Sequence, residues 1–267
     1  MLLLEGTGRG VYPQDAHKEA STMSLEQKVV VITGSSKGLG RALAHAYAGA
    51  GASVVINARD AATLEATRRE LAAKPGYHIA ALAADATQPG DITRLVDFAL
   101  ERFGRIDVLV NNAGILGPSP RPDLTDLRAD DLAEIFRANV TGPLLVTQAV
   151  LPPMLAQKSG LIINVTSDAG QTGYPGWGGY GASKAALELM TESWAAELDG
   201  TGVRVNAVNP GDLQTEMHQL AFPGEDISDR LDPFTVTDLF VWLASDAAAD
   251  VTGQRFDAPG FTPPESQ

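Results

Sequence analysis

From Lys28 onward, short apolar runs rich in β-branched residues alternate with stretches of helix formers, and this alternation leaves the chain few folds to choose from. Val29-Val30-Val31-Ile32 has no polar interruption, as expected of a strand covered on both faces. Further runs at Ser53 to Asn57, His78 to Ala83, Ile106 to Val110, Leu-Ile-Ile-Asn-Val-Thr before Ser167, Val203 to Val208 and Gln254 to Asp257 read as strands. Helices are predicted over Arg41 to Ala50, Ala61 to Ala73, Ile92 to Phe103, about Asp130 to Gln157, Ala182 to Leu198 and Val236 to Ala244. Strands alternating with helices call for a parallel sheet with helices on both faces, joined by right-handed crossovers. The expected fold class is α/β, a doubly wound parallel sheet. No internal repeat or low-complexity tract interrupts residues 25–257, so a single domain is expected.

The bulk numbers exclude several functions. With 267 residues, 44% hydrophobic and 20% charged, the chain can build one large core. Its formal net charge of −13 repels nucleic acid and anionic membranes, so neither is expected as a principal partner. Without cysteine it has neither disulfides nor thiolate metal sites. His17, His45 and His78 form no metal pattern, and His218 reads as loop surface. No apolar run approaches the roughly 20 residues of a spanning helix. Met-Leu-Leu-Leu at the start is too short for a signal core and lacks basic residues before it; the cytoplasm is the expected location. Residues 1–24, with Gly6, Gly8, Gly10 and Pro13, read as a mobile extension in which Met23 could be the natural start. The folded domain is expected over 25–260, with a short tail at 261–267.

Two loops address a nucleotide. Thr33-Gly34-Ser35-Ser36-Lys37-Gly38-Leu39-Gly40 lies between the first strand and the first helix. A phosphate needs exposed backbone N–H groups at the positive end of a helix, and glycines let it approach closely. The spacing departs from the Gly-x-Gly-x-x-Gly fingerprint, and three glycines are also compatible with a tight turn. At the end of the second strand an NAD site commonly places an acid for the ribose hydroxyls, whereas a 2′-phosphate wants arginine. Here the chain reads Asn57-Ala58-Arg59. Arg59 and Lys37 are each ordinary surface cations; together, in so acidic a chain, they favour NADP(H) over NAD(H).

Tyr180 and Lys184 lie four apart at the start of a run of helix formers, which stacks them on one helix face. A fixed ammonium beside a phenol favours the phenolate, so the expectation is a tyrosine acidified toward neutral pH and fit for proton transfer. Ser167 follows a strand and could hydrogen-bond a substrate oxygen, or satisfy its own turn.

In this order these motifs resemble the short-chain dehydrogenase/reductase (SDR) family. The resemblance covers roughly Leu25 to Asp257 and rests on Thr33-Gly-x-x-x-Gly-x-Gly40, Asp85, Asn111-Asn-Ala-Gly114, Asn139, Ser167, Tyr180-x-x-x-Lys184 and Pro210-Gly-x-x-x-Thr215. It implies a Rossmann-type sheet of about seven strands binding NADP(H). Tyr180 would be the proton donor, Lys184 would hold the nicotinamide ribose and lower the tyrosine pKa, Ser167 would polarise the substrate oxygen, and Asn139 would hold a relay water. The glycine loop with Gly34, Ser36, Lys37, Gly38, Leu39 and Gly40 would hold the cofactor. So would Asp85 and Ala86 at the adenine, Asn112, Ala113 and Gly114 at its ribose, and Pro210, Gly211, Leu213 and Thr215 toward the carboxamide. Asn139 could equally be a helix-kink residue, and Asp85 a turn acid capping the next helix. The helix after Tyr180 and the long one before it pair between subunits in this family, which implies a homodimer or homotetramer.

The resemblance frays at the C-terminus. Phe256-Asp-Ala-Pro-Gly260 stands where the family often has Asp-Gly-Gly, which puts the C-terminal subunit contact in doubt. The substrate pocket is expected to involve Asp168, Tyr174, Trp177, Met217 and Phe222. Trp177 fits either a flat wall for a cyclic ketone or loop packing; Asp168 fits a turn cap. The four glycines of Gly-Tyr-Pro-Gly-Trp-Gly-Gly suggest backbone flexibility near Tyr180. The leading reading is an NADPH-dependent carbonyl reductase, reversible to an alcohol dehydrogenase, acting on a small molecule. A 3-oxoacyl-thioester reductase and a non-catalytic NADPH sensor are the alternatives.

Overall fold

The computed structural model describes residues 23–264, so most of the N-terminal extension and the last residues of the tail lie outside the described residues. One sheet of seven parallel strands forms the centre: β1 (Val29–Ile32), β2 (Ser53–Ala58), β3 (His78–Ala83), β4 (Val108–Asn111), β5 (Gly160–Val165), β6 (Val203–Asn209) and β7 (Arg255–Asp257), in the order β3-β2-β1-β4-β5-β6-β7. Among the described residues eight α-helices accompany them: α1 (Gly38–Gly49), α2 (Ala61–Ala72), α3 (Pro89–Phe103), α4 (Ala129–Phe136), α5 (Gly142–Gln157), α6 (Gly178–Glu197), α7 (Glu216–Ala221) and α8 (Asp238–Ala244). The doubly wound sheet is the expected one. Phe261 still packs on the Trp242 ring, 5.3 Å between centroids, so the chain stays on the body past residue 260.

Successive strand residues face opposite sides, and the continuous apolar runs serve both. Val30, Ile32, Val54 and Ile56 meet Leu43 and Tyr47 of α1, Leu64 of α2 and Phe240 of α8. Val31, Val55, Leu109 and Ile162 meet Leu95 of α3, Val150 of α5, and Leu187 and Trp194 of α6. Between β1 and β4 the order reverses, and the loops leaving these strands diverge to open a crevice at their carboxyl ends.

Two boundaries differ from expectation. The long predicted helix from Asp130 is broken into α4 and α5 by a π-helical turn, Arg137–Thr141, a device frequent at functional sites. Helix α6 begins at Gly178, four residues before the predicted Ala182. The glycines at 179 and 181 permit close contact. A Cβ at Gly181 would lie 2.4 Å from the Ala169 carbonyl oxygen, and one at Gly179 2.7 Å from Leu127.

A buried polar chain crosses the second layer beneath the crevice. Asn111 Nδ2 donates to Thr147 Oγ1 (3.1 Å) and to Asn164 Oδ1 (2.9 Å), and Asn164 Nδ2 donates to Thr191 Oγ1 (2.9 Å). It joins β4 and β5 to α5 and α6, and so fixes α6 relative to the sheet ends. Removing one member of a buried network strands its partners. Asn164→Ala is therefore expected to cost about 2–3 kcal/mol in urea unfolding, and an unchanged midpoint would show that the chain does not hold α6.

Candidate active site

A cleft of about 620 Å³ lies at the carboxyl ends of the strands. Its first wall is the loop after β1, where Gly34 and Gly38 hold φ of 65° and 54°, values that favour glycine. Gly34, Ser36, Lys37, Gly38, Leu39 and Gly40 all line it. Lys37, at the cap of α1, offers no side-chain acceptor to the first turn. The N-terminal N–H groups of α1 thus face the cleft with the positive end of the helix dipole, which fits a phosphate. Asn112 Nδ2 donates to the Thr33 and Gly34 carbonyls (2.9 and 2.8 Å), so its side chain props the glycine loop. Ala113 and Gly114 continue this wall.

Arg59, Asp85 and Ala86 line the end beyond β2 and β3, and Pro210, Gly211, Leu213 and Thr215 the side after β6. The departing Ala258-Pro259 segment packs behind this side, since a Cβ at Gly211 would lie 2.6 Å from Pro259 Cγ. Asp85 is a turn acid: its carboxylate accepts from Thr87 N (2.9 Å) and Oγ1 (2.8 Å). The two cations part company. Lys37 is tied to Glu216 at the start of α7, whereas Arg59 has no ion pair among the described residues.

The proton-handling groups converge on the other side of the cleft. Tyr180 and Lys184 share one face of α6, with Lys184 Nζ 5.6 Å from the Tyr180 ring centroid. Lys184 is 5% exposed and donates to the Val165 carbonyl at 2.8 Å. Burial pushes it down to about 8. Burial also drives the Tyr180 phenol up to about 12, against the opposing hydrogen bond of Ser167. The expected acidified tyrosine is thus corrected for the free protein. Lys184 is buried and Tyr180 half-buried, and desolvation disfavours the charged form of each.

Ser167 lies two residues past β5 and opens a 3-10 turn, Asp168–Gly170. It both caps and lines: its Oγ accepts from Ala169 N (3.2 Å), and the residue faces the cleft. Asn139, at the centre of the π-helical turn, uses its amide on Ile115 N (2.8 Å), Ile115 O (2.9 Å) and Ser183 Oγ (3.0 Å). No hydrogen bond joins Asn139 to Lys184 among the described residues. It fixes the loop after β4 to α6.

The expected substrate residues divide. Trp177 and Met217 line the cleft; Asp168, Tyr174 and Phe222 do not. Asp168 is not a turn cap, since its carboxylate accepts from Ser167 Oγ and Tyr174 Oη, both at 3.0 Å. Trp177 is wall and packing together, 5.6 Å from the Tyr180 ring. His218 is corrected from loop surface. It is 8% exposed, lines the cleft, stacks on Phe222 at 4.8 Å and accepts from Arg230 Nε at 3.1 Å. Its helical offset from Phe222 was the available signal. Asn164 was also missed, despite standing as the polar residue in an apolar run.

The burial of Lys184 has a measurable sign. Unfolded, a lysine keeps its proton to about pH 10.4, but here the folded value is about 8. Between these values the unfolded state binds more protons, so stability rises with pH, the contribution being present above the window and lost below it. Below pH ~10 the unfolded phenol is also still protonated, so Tyr180 adds nothing. The melting temperature of wild type relative to Lys184→Met is expected to climb from pH ~8 to ~10; a constant difference would mean that the ammonium is solvated.

With this geometry in place, comparison with known proteins is specific. Residues 28–226 match the family described as short chain dehydrogenase. A 3-oxoacyl-[acyl-carrier-protein] reductase of Synechocystis sp. is 39% identical over 245 residues, 89% of this chain and 97% of that protein. Among solved structures, a short chain dehydrogenase of Shigella flexneri complexed with NADP superposes with a TM-score of 0.82 at 30% identity, covering 89% of this chain and 99% of that one. A 3-ketoacyl-(acyl-carrier-protein) reductase of Brucella melitensis complexed with NADH gives 0.80 at 30% identity, covering 88% and 97%. The chain therefore belongs to the short-chain dehydrogenase family, whose members are oxidoreductases acting on CH–OH groups.

Proposed function

We propose that the protein is an NADPH-dependent carbonyl reductase, reversible to an alcohol dehydrogenase, acting on a small ketone in the cleft beside Trp177. The observation that carries this reading is the meeting of Ser167, Tyr180 and Lys184 with the uncapped end of α1 in one cleft. The nicotinamide cofactor, when bound, supplies the hydride. As charge develops on the ketone oxygen, the Ser167 hydroxyl, turned away from the Asp168 carboxylate that it meets in the free protein, stabilises it and the Tyr180 phenol delivers its proton. Lys184 remains beneath the tyrosine, where it would hold the nicotinamide ribose. Asn139 acts on this site by fixing Ile115 and Ser183. Asp85 and Ala86 would take the adenine end.

With Lys37 engaged by Glu216, the preference for a 2′-phosphate rests on Arg59. The 3-oxoacyl-thioester reading is supported by the Synechocystis relative, and an acetoacetyl thioester belongs in any substrate panel. Leu155 on α5 and Leu189 on α6 are 40% and 65% exposed, on the two helices paired between subunits in the resemblance, which supports a homodimer or homotetramer. No helix among the described residues is long and apolar enough to cross a membrane; a cytoplasmic location is in keeping with that.

Tyr180→Phe is expected to lower kcat for NADPH-dependent ketone reduction by at least about a hundred-fold, followed by NADPH absorbance. A wild type no faster than the variant on every ketone would favour a sensor. Equilibrium binding should be tighter for NADPH than for NADH, and Arg59→Asp should flatten or reverse the order; equal wild-type affinities would remove the NADP assignment.

A further inference from the structure

Two residues one turn apart on α6 grip two consecutive residues at the exit of β5. Lys184 donates to the Val165 carbonyl. Glu188, four residues on and therefore on the same helix face, accepts from Thr166 Oγ1 at 2.6 Å. The next residue is Ser167. Thr166 is buried and its N–H donates to the Val208 carbonyl of β6 at 2.8 Å, so it is the hydroxyl that ties it to α6. The same Glu188 oxygen accepts from Arg255 Nε of β7 at 2.9 Å, and the other from Gln171 Nε2 at 3.4 Å. Arg255 Nη1 continues to Asp257 (3.0 Å), Asp257 accepts from Asn209 Nδ2 (2.7 Å), and Asn209 Oδ1 accepts from Gly211 N (3.1 Å). Asp257 belongs to the segment where the resemblance frays, and Gly211 lines the cleft. One carboxylate thus meets the strand exit before Ser167, the helix of Tyr180 and the loop after β6. A tie to β7 alone would not need the threonine, since a largely buried ion pair adds little to stability beyond apolar packing. Yet the shorter bond to that oxygen comes from Thr166, at a length typical of a hydroxyl on a carboxylate. The Glu188 charge also opposes the burial that lowers Lys184.

We propose that Glu188 is a positioning residue: by holding Thr166 against α6, its carboxylate sets the place from which the Ser167 hydroxyl reaches the substrate oxygen. This deepens the reading of the cleft as a carbonyl-reducing site and rests on it. Ser167 comes from a strand end and Tyr180 from a helix, so the spacing of their hydroxyls depends on how the two segments are joined. The Lys184 bond joins them at one point. The Thr166 bond adds a second, one residue nearer Ser167, and two points fix a rotation that one leaves open. The bonds of the Ser167 hydroxyl to Asp168 Oδ1 and Ala169 N are local to its own turn. Two donors act together on a developing charge only if both are in place before it forms.

The test uses the full chain. Thr166→Val keeps the shape of the side chain, removes the hydroxyl and leaves the Glu188–Arg255 pair in place. With an accepted ketone and NADPH it is expected to lower kcat about ten-fold with KM for NADPH unchanged, and Thr166→Ser should regain most of the loss. Glu188→Gln should lower kcat about five-fold in the wild type but less than about two-fold in Thr166→Val, because its route to Ser167 is then already cut. Urea unfolding of each variant separates this from simple loosening. A lowered midpoint with kcat unchanged makes Glu188 a tie for β7 and overturns the proposal. An equal loss from Glu188→Gln in both backgrounds also overturns it, leaving Glu188 to act through the Lys184 charge alone. If no ketone is reduced even by the wild type, the reductase reading fails, and amide hydrogen exchange over residues 166–172 still decides the positioning. Faster exchange there in Thr166→Val, with α2 unchanged, supports it; exchange equal to that of the wild type overturns it.

Discussion

The Lys184 ammonium is held without water at the end of β5, and much of the site follows from where its one strong hydrogen bond goes. By donating to the Val165 carbonyl it anchors α6 to the sheet at the place where that strand gives way to Ser167. A buried ammonium is tolerable only with a close acceptor. The geometry that satisfies it therefore also sets the first turn of α6, and with it Tyr180, over the strand ends. The glycines at 178, 179 and 181 let that turn approach within contact of neighbouring loops. The asparagine–threonine chain beneath holds α6 in depth.

Desolvation explains why the free protein departs from the simple picture of a lysine acidifying a tyrosine. Loss of water moves the half-buried phenol up and the buried ammonium down. In the proposed reduction the phenol gives up its proton as negative charge develops on the substrate oxygen, which is when preplaced donors contribute most.

Much of this was legible in the sequence, for uneven reasons. The parallel sheet followed from continuous β-branched runs, because a strand covered on both faces has no polar alternation to hide. That the glycine loop, Ser167, Tyr180 and Lys184 share one cleft was legible because few residue types recur there at fixed spacing. What escaped depends on contacts between distant segments. Helix α6 starts early because Gly181 fits against Ala169, which no local propensity reports. His218 is buried because Phe222 and Arg230 meet it. Arg121 looks like any loop cation until Trp177 and Phe222 meet its guanidinium. Lys37 reads as a free charge until Glu216, far along the chain, arrives beside it. The direction of the tyrosine shift was misread for the same reason: spacing shows which groups are neighbours, and only the fold shows how much water they keep.

The central claim is that a hydride reaches the ketone carbon in the same cleft in which Tyr180 protonates its oxygen. The most direct measurement is reduction of an accepted ketone by NADPH deuterated at the transferable C4 position, with mass analysis of the alcohol. The account predicts one deuterium bonded to the carbinol carbon. An alcohol formed with only protium at that carbon, its deuterium lost to solvent or retained on the dinucleotide, would contradict it.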